Sequence, residues 1–448
     1  MRRTIRDLSM LLLYKIFSSF LALVLLPVTP LFLCRKKYRQ RLAGRLGLGL
    51  RHRVAQLGPI PPSTPVFWIH ALSVGEATSA LPLVQAIRQT FPAARVICTL
   101  NTASGSQVAE NLLAPHADLL LPAPIDLGPV VPFFIRVIQP DLFILVETDF
   151  WPHWLSCLAR KKIPLALVNG RISKKSLRRY QRCPFLFRSI FQTFTLLSMQ
   201  TAADAKKMVD LGVDAGKVVT LGNLKFDTDL SDTTGNNGTM TMPTKSSRGF
   251  SPSAPLWICG STHNDEEEQI FTIYKHLQSI VPELQLLVAP RNIERSQDIL
   301  ALAETCGLDA RTWTNGRQRQ GPVLILDTIG ELASCYSMAE VVFIGGTLVA
   351  EGGHNPLEAA RAGIPVVFGP HMEDFEEIAA ELIRCGGAVQ VESVASLSIV
   401  VQQILCDPTL HNSMAGAALQ CIHKNRGVVG RHIDKITDLL AQKTQDKG

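Results

Sequence analysis

Residues 341–370 read VVFIGGTLVAEGGHNPLEAARAGIPVVFGP. Two very apolar runs, VVFIGG (341–346) and IPVVFG (364–369), flank a polar joint that holds Gly352, Gly353, His354, Asn355 and Pro356. Runs this short and this rich in Val and Ile read as strands buried on both faces. Glu358 then falls inside what reads as a helix between them. Strand, loop, helix, strand is the repeat of a parallel sheet covered by helices on both sides. In such sheets ligands lie beyond the carboxyl ends of the strands. The joint sits at such an end, so it is either a plain turn or part of a ligand site.

The same alternation extends outward in both directions. VFWIH (66–70), RVICTL (95–100), DLLLP (118–122), DLFILVE (141–147) and IPLALVN (163–169) precede a stretch, 228–255, rich in Ser, Thr, Gly, Asn and Pro. That stretch reads as a linker or mobile loop. Beyond it LWICG (256–260), LQLLVAP (284–290) and PVLILD (322–327) restart the pattern, and 395–443 reads as helical. The expected organisation is an N-terminal segment (1–40), a Rossmann-like domain (41–227), a linker (228–255), a second Rossmann-like domain (256–425) and a C-terminal helix and tail (426–448). Two α/β domains of similar size are expected to face a ligand-holding cleft.

Composition bounds the chemistry. A chain of 448 residues is too long for one core, and 46% hydrophobic with 19% charged residues excludes a disordered chain. A net charge of +7 and a pI of about 8.9 suggest an anionic partner: nucleic acid, anionic lipid or a phosphorylated substrate. No aromatic stacking platform or recognised nucleic-acid motif accompanies the basic runs, which argues against nucleic acid. The ten cysteines are scattered without a C-x-x-C pair, so buried free thiols in a reducing cytosol are expected, and no zinc site.

Ile16 to Cys34 (IFSSFLALVLLPVTPLFLC) is apolar and about the minimum length for a bilayer span, with Pro27 and Pro30 in its second half. RKKYRQR follows in place of a signal-peptide cleavage site, and this denser basic flank places the large remainder in the cytoplasm. A membrane anchor is expected, spanning or lying in the surface; the competing reading is a buried helix of the first domain.

Several strand-end loops carry candidate residues. In HALSVGE (70–76), Glu76 opens a helix, either as a complement to its dipole or as a general base. ETDFWP (147–152) brings Glu147 and Asp149 to a strand end, and DTD (227–229) is a similar pair; both are weak signals for a metal. NGRISKKSLRRYQR (169–182) carries Arg171, Lys174, Lys175, Arg178, Arg179 and Arg182, a solvated face or a binding surface for a phosphate-bearing partner. GSTHNDEEE (260–268) offers amides for an anion or a cap by Ser261, Thr262 or Asn264. APRNIER (289–295) aims Arg291 from a rigid exit, and DTIGEL (327–332) presents Gly330 and Glu331.

Taken together, WIHALSVGE (68–76), ILVETDFWP (144–152), LVNGRISKKS (167–176), LGNLKFD (221–227), GSTHNDEEE, APRNIER, DTIGEL and GGTLVAEGGHNPLEAARAGIPVVFGPHMEDFEE (345–377) resemble the 3-deoxy-D-manno-octulosonic acid (Kdo) transferases of lipopolysaccharide biosynthesis. The likeness covers about residues 10–430. It implies a GT-B type glycosyltransferase fold with an N-terminal membrane-anchor helix at the inner membrane and catalytic domains on the cytoplasmic side. It implies CMP-Kdo as donor, the phosphorylated lipid A precursor lipid IVA as acceptor, and inversion at the Kdo anomeric carbon. Neither a cofactor nor a metal is implied.

By the same likeness Glu76 is the general base, and Glu147 and Lys225 support the transition state. Donor contacts map onto Pro290, Arg291, Ile329, Gly330, Glu331, Asn355, Pro356, Leu357 and Glu358. Arg171, Lys174 and Lys175 are the candidates for holding acceptor phosphates. Asp149 stands where the family is expected to carry glutamate, and NGR where NAR is commoner. A transferase of the same architecture using a UDP-sugar on another membrane acceptor is the alternative, followed by a non-catalytic membrane scaffold. In the opening joint, Gly352 and Gly353 permit a tight turn, with Asn355 as cap and Pro356 as first helical residue. Glu358 is placed to accept from a ribose hydroxyl pair, and His354 either touches ligand or bonds locally.

Overall fold

The computed structural model describes residues 42–61, 64–101, 112–228, 244–316 and 321–445. The expected anchor and part of the expected linker (229–243) lie outside the described residues. Among the described residues no helix is long and apolar enough to cross a membrane. The chain forms two compact units, Met1–Asp229 with Gly427–Gly448 and Leu230–Arg426.

The first unit is built on a seven-stranded sheet in the order β3-β2-β1-β4-β5-β6-β7. Its strands are β1 (Val66–Ala71), β2 (Arg95–Leu100), β3 (Leu119–Pro122), β4 (Leu142–Val146), β5 (Leu165–Gly170), β6 (Leu196–Met199) and β7 (Val218–Thr220), all parallel. The continuous apolar runs follow from burial on both faces. Phe67 and Ile69 of β1 pack with Ala80, Val84 and Ile87 of the helix Val74–Thr90, while Trp68 packs on the other face with Phe134, Phe143 and Trp154. Each of the larger apolar side chains contributes about 1.5–3 kcal/mol on burial. Strand order reverses between β1 and β4, so the loops that follow these two strands open at the switch point.

The helix Val428–Gln445 completes this unit, with Val428, Ile436 and Leu439 in the same cluster as Ile69 and Val84. Asp227 starts it, its carboxylate accepting from the amides of Gly427 (2.9 Å) and Val429 (2.7 Å). His432 is fully buried against Ser198 Oγ (2.8 Å) and the Val428 carbonyl (2.8 Å). Burial pushes its imidazole down to about 4, so the helix docks through a neutral histidine.

The second unit carries another seven-stranded parallel sheet, in the order β10-β11-β9-β8-β12-β13-β14. Its strands are β8 (Leu256–Thr262), β9 (Gln285–Pro290), β10 (Ala310–Thr312), β11 (Val323–Ile325), β12 (Val341–Ile344), β13 (Val366–Phe368) and β14 (Ala388–Gln390). The switch point falls between β8 and β12, where GSTHNDEEE and the opening joint emerge. Residues 244–255, expected as linker, pack onto this unit. Phe250 is fully buried, and Lys245 Nζ donates to the Ala254 carbonyl (2.7 Å) and Glu340 (2.8 Å).

Candidate active site

Glu76 lies in the first turn of the helix Val74–Thr90, where the chain leaves β1. Ser73 caps that helix by accepting from the Glu76 amide (3.3 Å), and the Glu76 carboxylate turns back to accept from the Leu72 amide. The residue is only 6% exposed. Burial, reinforced by the neighbouring Glu147 and Asp149 carboxylates, pushes its carboxyl up to about 8 against the pull of the Leu72 amide. Such a group is a stronger base than an ordinary carboxylate and still titrates near neutral pH.

Glu147 follows β4 with a left-handed backbone, φ 62°. Its Oε1 accepts from Ser79 Oγ (3.2 Å) and Asn169 Nδ2 (3.3 Å), and Arg171 Nε lies 3.6 Å from Oε2. Asn169, at the end of β5, is also left-handed, φ 56°. Its Oδ1 accepts from the Leu224 amide (3.0 Å), at the start of the short turn Leu224–Asp227 that carries Lys225. Asn223 caps that turn through the Lys225 amide (3.0 Å), and Arg431 of the C-terminal helix holds the Leu221 carbonyl (2.9 Å). One chain of hydrogen bonds thus ties Glu147 to the Lys225 turn through Asn169, a residue the motif reading had not singled out for a role. Asp149 is committed elsewhere: it accepts from Trp151 Nε1 (2.7 Å) and pairs with buried His70 Nε2 (2.8 Å), whose Nδ1 meets Thr99 Oγ1 (3.0 Å). Asp227 is committed to its helix cap.

Beyond Arg171 the chain enters the helix Lys174–Arg182, capped by Ser173 through the Ser176 amide (3.1 Å). Lys174, Lys175, Ser176, Arg178, Arg179 and Arg182 line an open groove of about 770 Å³. Lys174 and Lys175 are exposed and have no acidic partner among the described residues. Two lysines at a helix N-terminus oppose its dipole, which suits a surface that meets external anions.

In the second unit a cavity of about 320 Å³ is lined by Pro290, Arg291, Ile329, Gly330, Asn355 and Glu358, with Tyr336, His354 and Phe375. The strands β9 and β12 and the loop after β11 bring these together. Ile329 is 83% exposed beside left-handed Gly330, an apolar side chain held out on a turn. Glu331 is held from behind by Trp313 Nε1 (2.6 Å) and Thr328 Oγ1 (2.5 Å). Burial raises the Glu358 carboxyl above its ordinary range, with Arg361, Asn355 and Arg291 pulling it down. His354 Nε2 lies 2.8 Å from His263 Nε2, and burial, with Arg291 and His263 beside it, pushes its imidazole down to about 4. Arg291 also lines an adjoining cavity of about 380 Å³ with His263, Asn292 and Arg295.

The joint differs from expectation in detail. The helix begins at Leu357 with Pro356 in the cap position, one residue later than expected, and Asn355 Oδ1 accepts from the Leu357 amide (3.1 Å). Pro356 and Leu357 are buried, with the Leu357 side chain fully inaccessible, so these two shape the wall from behind. Gly352 (φ 82°) and Gly353 (φ 76°) are both left-handed, and a Cβ on Gly353 would stand 2.7 Å from Met372 Sδ. The amides after β12 do not await an anion: those of Gly346 (2.7 Å), Thr347 (3.0 Å) and Leu348 (3.0 Å) donate to the fully buried Glu266. Glu266 was legible only as one of four adjacent acids; beside the local His263 amide, its partners come from 80 to 82 residues away.

Comparison with known proteins bears on the family and the fold. The profile of the family "3-Deoxy-D-manno-octulosonic-acid transferase (kdotransferase)" matches residues 40–228. The 3-deoxy-D-manno-octulosonic acid transferase of Haemophilus influenzae is 32% identical over 435 residues, covering 94% of this chain and 98% of that protein. Among solved structures, UDP-GlcNAc 2-epimerase from Neisseria meningitidis bound to UDP-GlcNAc reaches a TM-score of 0.59 at 13% identity, covering 84% of this chain and 100% of that one. A glycosyltransferase from Rickettsia africae reaches 0.55 at 10% identity, covering 84% and 99%. Both structural likenesses show the fold alone, the two-domain α/β architecture of GT-B glycosyltransferases.

Proposed function

This chain belongs to the 3-deoxy-D-manno-octulosonic acid transferase family, and we propose that it moves Kdo from CMP-Kdo to a phosphorylated lipid A precursor, lipid IVA, in lipopolysaccharide biosynthesis. Glu76 is the general base in this reading. Its carboxylate takes the proton of an acceptor sugar hydroxyl; that oxygen attacks the Kdo anomeric carbon, CMP departs with the bonding electrons, and configuration inverts. The observation that carries the proposal is the buried Glu76 carboxyl at the switch point of the first sheet, raised to about 8. A carboxylate kept from water at a strand's carboxyl end has the proton affinity this step needs.

Glu147 and Lys225 serve as supporting charges, held in register by Asn169. The Lys225 ammonium offsets negative charge that develops on the leaving phosphate or on the Kdo carboxylate. Arg171, Lys174 and Lys175 receive the acceptor's phosphates, which favours a lipid bearing clustered anions. On the second unit, Arg291 meets the CMP phosphate, Ile329 covers the base, and Glu358 accepts from the ribose hydroxyls with Asn355 beside it. Residues 1–40 anchor the protein to the inner membrane, with both units on the cytoplasmic side.

The test uses purified full-length protein. CMP is released only when CMP-Kdo and the lipid acceptor are both present, and CMP raises the melting temperature where UDP does not. A stabilising effect of UDP without one of CMP would replace the proposed donor by a UDP-sugar. Glu76→Gln abolishes transfer while the CMP-induced shift survives; near-normal turnover in that variant removes the base assignment.

A further inference from the structure

Away from both candidate sites, two helices of the second unit face each other with matching i, i+4 pairs. The helix Glu376–Cys385 presents Glu381 and Cys385, and the helix Pro408–Asn425 presents Cys421 and Asn425. One carboxylate oxygen of Glu381 and the two sulfurs lie within 4.8 Å of one another. Cys385 Sγ is 3.8 Å from Glu381 Oε1, and Cys421 Sγ is 3.8 Å from the Glu381 carbonyl. Asn425 Nδ2 reaches Glu381 Oε1 (3.2 Å) and Cys421 Sγ (3.8 Å). Cys421 is buried and Cys385 half-buried, so the cluster has a protected side and an open one.

The backbone makes this arrangement rigid. Gly386 ends the first helix in a left-handed cap, φ 84°, and Gly387 follows so close to the second helix that a Cβ would stand 2.6 Å from Ala418 Cα. Cys385 is therefore held at a fixed height against Cys421, one turn beyond Ala418. We propose that Glu381, Cys385 and Cys421 form a binding site for a soft divalent cation of the Zn²⁺ type, with the Asn425 amide oxygen or a water as fourth ligand. Two thiolates select such an ion over Mg²⁺ or Ca²⁺. Tetrahedral Zn²⁺ with Zn–S bonds of about 2.3 Å separates its ligand atoms by roughly 3.8 Å, so the present cluster contracts by about 1 Å at most.

Binding converts the two Cys–SH groups to zinc-bound thiolates and releases two protons to solvent. Without a metal, burial and the adjacent Cys385 and Glu381 push the Cys421 thiol up to about 12, which makes it inert; a bound cation reverses that logic. Arg384, exposed and bidentate on Glu381 (2.5 and 2.8 Å), keeps one carboxylate oxygen as an outer partner or swings into solvent. The asparagine turns its amide so that Oδ1 replaces Nδ2. The tie pins the helix that begins next to Phe375, a wall of the nucleotide-sized cavity.

The test is metal uptake by reduced full-length protein. Dialysis against ZnCl₂, gel filtration and elemental analysis are expected to give one bound Zn²⁺ per chain. Cys385→Ser and Cys421→Ser each weaken retention at least tenfold, whereas Cys183→Ser, at an exposed cysteine of the first unit, leaves it unchanged. Should a serine variant fail to fold, Co²⁺ on the unmodified protein decides. A thiolate-to-cobalt absorption band with the intensity of two sulfurs and tetrahedral visible bands supports the site. Absence of that band, no uptake of Zn²⁺, or uptake indifferent to both substitutions overturns it.

Discussion

Replacing Glu76 by glutamine is expected to destroy transfer and also to stabilise the protein, increasingly as pH rises. The carboxyl sits at about 8 in the folded chain against an ordinary 4.5. Between those values the folded state keeps a proton that the unfolded chain has lost. With the folded value raised, the contribution to stability is intact below the unfolded value, falls as pH climbs, and is gone above about 8. Glutamine has no proton to lose, and its Oε1 still accepts from the Leu72 amide. For a single group the advantage of Glu76→Gln grows by about 1.4 kcal/mol per pH unit, or about 2–3 kcal/mol between pH 6 and pH 8. In a unit of this size that widens the melting-temperature gap by roughly 4–10 °C. Calorimetry of both proteins from pH 5 to pH 9 at constant ionic strength measures the gap. In the same series, kcat/KM of the unmodified enzyme rises about tenfold per pH unit and levels near 8. Parallel melting curves for the two proteins would refute the argument from burial, whatever the activity of the variant.

Three further substitutions separate positioning from binding. Asn169→Ala removes the link between Glu147 and the Lys225 turn; kcat falls on the order of 10²-fold while the CMP-induced thermal shift stays unchanged. Gly353→Ala forces a left-handed alanine against Met372 and the His371 carbonyl, costing about 2–4 kcal/mol by urea titration and reducing the CMP shift. Asp227→Ala uncaps the C-terminal helix, lowers stability by about 0.5–2 kcal/mol, and raises hydrogen exchange first at Gly427 and Val429.

Most central strands were legible because residues buried on both faces must be apolar throughout, as in VFWIH and LQLLVAP. The strands β6, β7, β10 and β14, three or four residues each, were not singled out: so short a run carries no period, and all of them but β6 pair on one side only. Strand-end loops were legible as a class, since glycine and polar residues accumulate where apolar runs stop. What each residue does there was less so. Asp149 looked like half of a metal pair and is spent on His70 and Trp151; Glu266 looked like a helix acid and holds the loop after β12. The pairs Glu381/Cys385 and Cys421/Asn425 show i, i+4 spacing in the sequence, but only the packing of two helices brings them together.

Backbone strain gives an independent reason to place chemistry at these strand ends. Glu147 (φ 62°), Asn169 (φ 56°) and Ser261 (φ 59°) adopt left-handed backbone without being glycine, at a cost of about 1–2 kcal/mol each. All three stand where β4, β5 and β8 finish, at or beside the switch point of their sheet. Glycine would remove the strain, yet at Glu147 and Asn169 the side chain is what the turn presents. The Glu147 carboxylate is held by Ser79 and Asn169, and the Asn169 amide holds both Glu147 and Leu224. A fold that needed only a turn at these points would do better with glycine, as it does at Gly352 and Gly353. Strain kept at a polar residue with paired, buried hydrogen bonds is strain kept for the position of its functional groups. The same reasoning reads the glycine joint as shape and the Glu147–Asn169 pair as groups held for their position.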